Sequence, residues 1–369
     1  MKETAAAMPT SQGNEPSGTT GGTGGGTGST GGSTVDIGTS HLSLRERVLG
    51  MQSIWILAVL VVIVAAFGAL APTRFLTGDN LANISQNVSI WAVLAVGMTF
   101  VIVTSGIDLS IGSVLVFSSV VSALVMESMG GNGWSTAIVG VVVSVLSGIL
   151  WGVFNGLLIA RAKVPALIVT LGTLSVALGF AQIITGGLDI RSVPTELQDA
   201  VGYGRFLGIP VLTMIAIVVV VVGGVMLHKT RFGRYTFAIG SNEMAARRVG
   251  INVSRHLVKV YALVGFLAGL AGILSLAQFG TTTIAGQSLT NLNVIAAVVI
   301  GGTSIFGGKG SMFGSMVGLF IPAVLQSGFV ITGVSPYWQT VAVGTILIAA
   351  VFVDQQRRMA ALRGGKSAR

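Results

Sequence analysis

Residues 228–259 read HKTRFGRYTFAIGSNEMAARRVGINVSRHLVK, a polar, basic insert in a chain where charge is otherwise scarce. Seven of the 21 Lys and Arg residues fall here: Lys229, Arg231, Arg234, Arg247, Arg248, Arg255 and Lys259. The apolar stretches on either side are long enough for a helix to cross a bilayer, which takes about 20 residues. A basic loop between two such spans belongs in water on the cytoplasmic side. Its length and internal pattern mark it as a docking surface rather than a simple turn.

Composition extends that reading to the whole chain. Of 369 residues, 52% are hydrophobic, 9% are charged and 53 are glycine. Soluble domains carry about 25% charge, so this chain could not cover its surface in water. The expected fold is all-α, a polytopic membrane helical bundle of about ten transmembrane helices. The apolar segments run roughly 52–71, 86–104, 110–128, 137–160, 165–185, 208–227, 258–280, 289–305, 312–332 and 337–353. With both termini cytoplasmic, 18 of the 21 basic residues lie on that side and only Arg74, Arg191 and Arg205 lie outside. The net charge of +9 therefore reports topology, not a nucleic-acid partner. Without cysteine there is no disulfide, thiolate chemistry or Cys-based metal site.

Three regions follow. Residues 1–44 form a Gly/Thr/Ser-rich tail, expected to be disordered and cytoplasmic because it cannot bury enough surface to offset its ordering entropy. It lacks the apolar core of a signal peptide, so the first span is expected to be uncleaved. Residues 45–356 form the membrane domain, with the basic loop at 228–259, and 357–369 form a basic cytoplasmic tail.

Apart from Glu127 and Lys259, each one residue from a segment end, the ten apolar segments contain no Lys, Arg, Asp or Glu. Ionisable groups in lipid usually mark ion paths or proton relays, so their absence argues against a proton- or sodium-driven transporter. Asn155, Gln182, Gln278, Asn291, Asn293 and Gln326 do lie at membrane depth. Singly, each reads more readily as an interhelical hydrogen bond. As a set they suit a polar, uncharged cargo. Asp108 in SGIDLSIGS is the one acid held tightly between two spans. Asp108 or Ser110 is placed to cap the following helix, and both are candidates for the translocation pathway. Gly148, Gly152 and Gly156 recur every four residues, as do Gly310, Gly314 and Gly318, and Gly265 pairs with Gly269. That spacing gives a smooth face for close helix packing. A short echo links VIVTSGIDLSIGS (101–113) to VIGGTSIFGGKGS (299–311), as duplication would.

Catalysis within the chain is not expected. FGGKGS fails the phosphate-loop pattern, because Thr303 stands where the first glycine belongs and Gly310 follows Lys309. Any ATP hydrolysis, with its ATP and Mg, must therefore come from another polypeptide, and no cofactor is expected in this chain. His41, His228 and His256 have no metal-ligand spacing. The basic loop does encode a short helix. Ser241 or Asn242 caps its start, Glu243 and Arg247 pair at i,i+4, Arg248 lies in the last turn, and Gly250 ends it. About two turns are marginal alone, so the helix is expected to rest on something.

Three stretches resemble the permeases of carbohydrate-uptake ABC importers, the ribose/xylose/arabinose-type branch: GMTFVIVTSGIDLSIGS (97–113), FGRYTFAIGSNEMAARRVGI (232–251) and VIGGTSIFGGKGSMFGSMVG (299–318). The resemblance extends over residues 45–356. It implies that the NEMAARRVGI segment couples to an ATP-binding-cassette ATPase subunit, through Ser241, Asn242, Glu243, Ala246, Arg247, Arg248, Gly250 and Ile251. It also implies a second permease copy, as a homodimer, and an extracellular or periplasmic solute-binding protein. Branched-chain amino-acid permeases share the general fold but generally lack a segment like GIDLS. The expected function is transport of a neutral, ribose- or xylose-like monosaccharide across the cytoplasmic membrane. The alternatives are an ABC permease for a nucleoside or branched-chain amino acid, and a facilitator without a motor. The Gly/Thr-rich tail departs from the family pattern.

Overall fold

The computed structural model describes residues 52–286, 290–335 and 337–364. Its first half holds α1 (Gln52–Leu70), the short α2 (Pro72–Phe75), α3 (Gly78–Val103), α4 (Ile111–Ser128), α5 (Gly133–Ala160) and α6 (Ala166–Thr185). A strap follows: the single turn α7 (Thr195–Leu197), a π-helical turn (Gln198–Gly202), and a two-stranded hairpin of β1 (Arg205–Phe206) and β2 (Ile209–Pro210). The second half holds α8 (Val211–Lys229), α9 (Arg231–Ser241), α10 (Glu243–Arg248), α11 (Val253–Phe279), α12 (Thr290–Ile300), α13 (Met312–Thr332) and α14 (Tyr337–Gly364). The tail at 1–44 lies outside the described residues. So does the end of the basic tail at 357–369, although α14 continues as far as Gly364.

The chain is a polytopic helical bundle, and each expected apolar segment is helical. Among the described residues, eight helices are long and apolar enough to cross a membrane. The clearest departure is the segment expected at 289–305. Its helix, α12, is described over only 11 residues, from Thr290, and stops at Ile300. At about 1.5 Å per residue it covers roughly half of a hydrocarbon core about 30 Å thick. The Gly301–Gly302 pair ends it, with Gly302 at φ +91° and Gly301 pressed against the Gly314 carbonyl.

α3 and α11 form the centre, with 83% and 78% of their spanning windows buried. They run antiparallel, since Gly97 lies beside Val264 while Asn87 reaches Gln278. Each leads into a non-helical break and then into a second helix, α4 or α12. The first turns of α4 and α12 meet, where Gly112 N–H donates to Asn291 Oδ1. The two units therefore form an inverted pair, an arrangement typical of transporters. The echo at 101–113 and 299–311 does not mark this pairing; those two stretches lie side by side instead.

The glycine spacing is realised as backbone contact, except at Gly310, which precedes α13 and meets the Val103 and Thr303 side chains. A Cβ at Gly148 or Gly152 would overlap the carbonyl oxygens of Gly265 or Tyr261 on α11, and Ser144 Oγ donates to Gly269 O at 2.7 Å across the same seam. Gly318 packs likewise on Ala297 O of α12. The outer helices present apolar side chains outward, including Leu171, Ile183, Val218 and Ile348, all more than half exposed, as lipid contact requires.

One substitution should therefore have opposite signs at two glycines. Gly152→Ala forces α5 and α11 apart and should cost about 1–3 kcal/mol. Gly172→Ala, with no atom within 4 Å of the added methyl, should be neutral or stabilising by up to about 1 kcal/mol. Thermal unfolding of the purified chain in detergent compares them.

Candidate functional site

Three of the six membrane-depth amides come together. Gln278 from α11, Asn293 from α12 and Gln326 from α13 line a cavity of about 230 Å³, with Asn87 and Trp91 from α3 and Gln339 from α14. Gln278 Nε2 donates to Asn87 Oδ1 at 3.2 Å. Gln278 Oε1 is buried without a hydrogen-bond partner among the described residues, an open acceptor beside the cavity. Such an atom costs free energy unless something donates to it. Among the described residues the wall thus offers amides, hydroxyls and one indole face, and no ionisable group. Two larger cavities, about 720 and 550 Å³, are lined mainly by apolar side chains of α5 and α6 or of α8 and α13. They suit acyl chains rather than a polar solute.

Asn87, Trp91 and Gln339 were missed by the sequence reading. Asn87 and Trp91 carry a usable signal, being spaced i,i+4 on one face of α3. Gln339 follows Tyr337 and Trp338 at the start of α14 and has no comparable pattern.

The other amides sit elsewhere. Asn155 holds the break before α4: its Nδ2 donates to Ser110 Oγ at 3.0 Å, and its Oδ1 accepts from Thr173 Oγ1 at 2.6 Å. Ser110 N and Oγ both donate to Asp108 Oδ1, at 2.8 and 2.6 Å. Asp108, Ser110 and Asn155 are all fully buried, so this relay ties α5 and α6 to the break. Ser110 occupies the N-cap position of α4, but neither it nor Asp108 accepts from a first-turn N–H of that helix. Asn291 supplies that acceptor from α12, because the break brings the two helix starts together. Gln182 is exposed on α6, away from the cavity.

The basic loop folds into α9 and α10. Asn242, not Ser241, caps α10, accepting from Ala245 N at 2.9 Å; Ser241 ends α9. Glu243 and Arg247 pair at 2.6 Å. Gly250, at φ +85°, terminates the helix, and Ile251 N returns to Ala246 O at 3.1 Å. Ala246 is buried with Ile239 and Val253, so α10 rests on its own bundle. Its other face exposes Met244, Arg247, Arg248 and Val249. The two apolar members of that face, 66% and 77% exposed, are what a bound partner would cover and a charge count overlooks.

α9 joins this surface to the break. A Cβ at Gly240 would overlap Val103 O, which already accepts from Gly308 N at 2.9 Å. Ser105 Oγ lies within hydrogen-bond reach of Phe306 O, at 2.8 Å, and of Gly240 O, at 3.2 Å. Thr236 and His256 meet at 2.9 Å, tying α9 to α11. The three stretches at 97–113, 232–251 and 299–318 thus converge on one joint.

A helical membrane bundle with a polar cavity and an exposed helix in its basic loop is the architecture of a transport subunit. Residues 80–351 match the family model described as branched-chain amino acid transport system / permease component, and the chain belongs to that family. The ribose import permease protein RbsC of Escherichia coli (strain K12) is 38% identical over 305 residues, covering 82% of this chain and 93% of the relative. Its Bacillus subtilis (strain 168) counterpart is 38% identical over 304 residues, covering 82% and 91%. The fructose import permease protein FrcC of Rhizobium meliloti is 34% identical over 312 residues, covering 83% and 86%. No solved structure matches the chain.

Asn291 and Asn293 should part company on mutation. Asn291→Ala orphans the Gly112 N–H and should cost about 1–3 kcal/mol of stability. Asn293→Ala, at the cavity wall, should stay within about 0.5 kcal/mol. Denaturation midpoints of the two variants test the separation.

Proposed function

We propose that this chain is the membrane-spanning subunit of an ATP-binding-cassette importer that carries a neutral, ribose- or xylose-like monosaccharide. It lies in the cytoplasmic membrane with the α9–α10 end and both termini in the cytoplasm. A separate ATPase subunit binds ATP and Mg and seats on α10. A solute-binding protein delivers sugar at the opposite end, and a second copy of the permease completes the path.

The observation that carries this reading is the cavity wall. Hydroxyl-rich, uncharged solutes exchange hydrogen bonds with amides and stack an apolar ring face on an indole. A sugar hydroxyl would give Gln278 Oε1 the donor that it lacks. A zwitterionic amino acid would ask for charged partners, and the cavity lining has none among the described residues. The names of the relatives above, permeases for ribose and fructose, support the same substrate class. Asp108, the acid of the relay, is buried and accepts from both Ser110 N and Oγ, so it is held as a fixed structural group. Force therefore arrives through α10, and the joint at Gly240 passes it to the break before α4. Alternating access follows as the two inverted units rock against each other.

Arg247 tests the seat. The Glu243–Arg247 pair is about half exposed, so within the helix it is worth only about 0.3–0.5 kcal/mol. Losing that alone should leave transport nearly unchanged. If α10 is the seat, Arg247→Glu should lower ATP-dependent sugar uptake at least tenfold and reduce copurification of the ATPase. A tagged chain that never brings down an ATPase, with Arg247→Glu transporting like the parent, would defeat the proposal.

A further inference from the structure

The strap between α6 and α8 is fastened to the break before α12 by two neighbouring residues, the Asp189 side chain and the Ile190 backbone. Asp189 Oδ1 accepts from Ile284 N at 3.0 Å and from Thr282 Oγ1 at 3.2 Å. Beside it, Ile190 N donates to Thr282 Oγ1 at 2.8 Å, and Ile190 O accepts from Thr282 N at 2.9 Å and Thr281 Oγ1 at 3.1 Å. Thr282 and Ile284 are buried, whereas Asp189 is exposed. The strap has further anchors: Glu196 Oε2 accepts from Gly133 N at the start of α5, and Ser192 Oγ donates to Glu127 Oε1 at the end of α4, both at 3.1 Å.

The stretch so held is a wall of the cavity. Gly286, Thr290 and Asn293 line it, and all three belong to this break or to α12. α12, described over 11 residues, ends in the non-helical Gly301–Gly302 turn, which leaves it room to tilt as a body. At the opposite end of the bundle, Gly240, Val103 and Gly308 join α9 to the break before α4. The Asp189 joint is the counterpart of that device in the inverted unit.

We infer that Asp189 is a positioning residue for transport: it makes the strap, the 281–286 stretch and α12 move as one unit, so that docking of the solute-binding protein on the strap resets the cavity wall. This rests on the importer reading for the identity of the docking partner. The joint requires an acceptor at Asp189, not a charge, which separates Ala from Asn.

Hydrogen exchange of residues 281–286, in the purified chain in lipid nanodiscs, reads the joint without any partner. Asp189→Ala should raise exchange there at least fivefold, and Asp189→Asn should stay within twofold. In the full complex in proteoliposomes, Asp189→Ala should cut sugar uptake, and stimulation of ATP hydrolysis by the sugar-loaded binding protein, at least fivefold. Basal hydrolysis should remain within twofold, which also shows that the variant is folded and assembled. The chain has no cysteine, so an Asp189→Cys/Thr282→Cys pair can be bridged selectively, and uptake should survive bridging. Unchanged exchange in Asp189→Ala, unchanged uptake despite raised exchange, failure of Asp189→Asn, or loss of uptake on bridging would each overturn the inference. Failure of the parent complex to take up sugar with ATP would instead count against the importer reading, leaving the exchange result to judge the joint.

Discussion

Every break in a membrane helix leaves backbone N–H and C=O groups that no water satisfies, and the rest of this bundle is arranged around that constraint. The start of α4 takes its acceptor from Asn291 of α12. The turn before it is held by Asp108 through Ser110 N and Oγ. Val103 O, at the end of α3, is met by Gly308 N. Each break is therefore stitched to elements distant in sequence. A movement of one partner has to be carried through a break or to open a buried hydrogen bond, at about 1–3 kcal/mol each.

That constraint gives the shared motifs a physical meaning. The VTSGIDLS, GSNEMAARRVG and GGKGS stretches lie far apart in sequence yet close on a single joint at Val103, Gly240 and Gly308. The joint tolerates no side chain at Gly240 and links the exposed face of α10 to the break before α4. On the proposed reading it is the point where work done by a partner enters the membrane. The cavity lies along the same central pair, between α3 and α11, so tilting either inverted unit changes its shape.

Composition and apolar length carried the helical bundle, and the spacing of glycines carried the α5–α11 seam, because both depend on local pattern. The half-length of α12 was not legible. Its apolar run continues to Ile305, and only the Gly301–Gly302 turn and the approach of Gly314 end the helix early. The membrane-depth amides were legible as a set but not individually. Nothing in the sequence separates Asn291, which closes a helix end, from Asn293, two residues on, which faces the cavity. That sorting depends on which helix face meets which break, a tertiary property. α10 was readable from its capping residues, whereas Met244 and Val249 were hidden by the charges around them.

The central claim is that a charge-free path is driven mechanically through α10 and not by an ion gradient. Its most direct test is sugar uptake into proteoliposomes holding the chain, its ATPase subunit and the solute-binding protein, with proton and sodium gradients collapsed by ionophores. The account predicts that uptake persists at the same rate and stops when the ATPase carries a hydrolysis-deficient substitution. Uptake that vanishes with the gradients, or continues with the disabled ATPase, would contradict it.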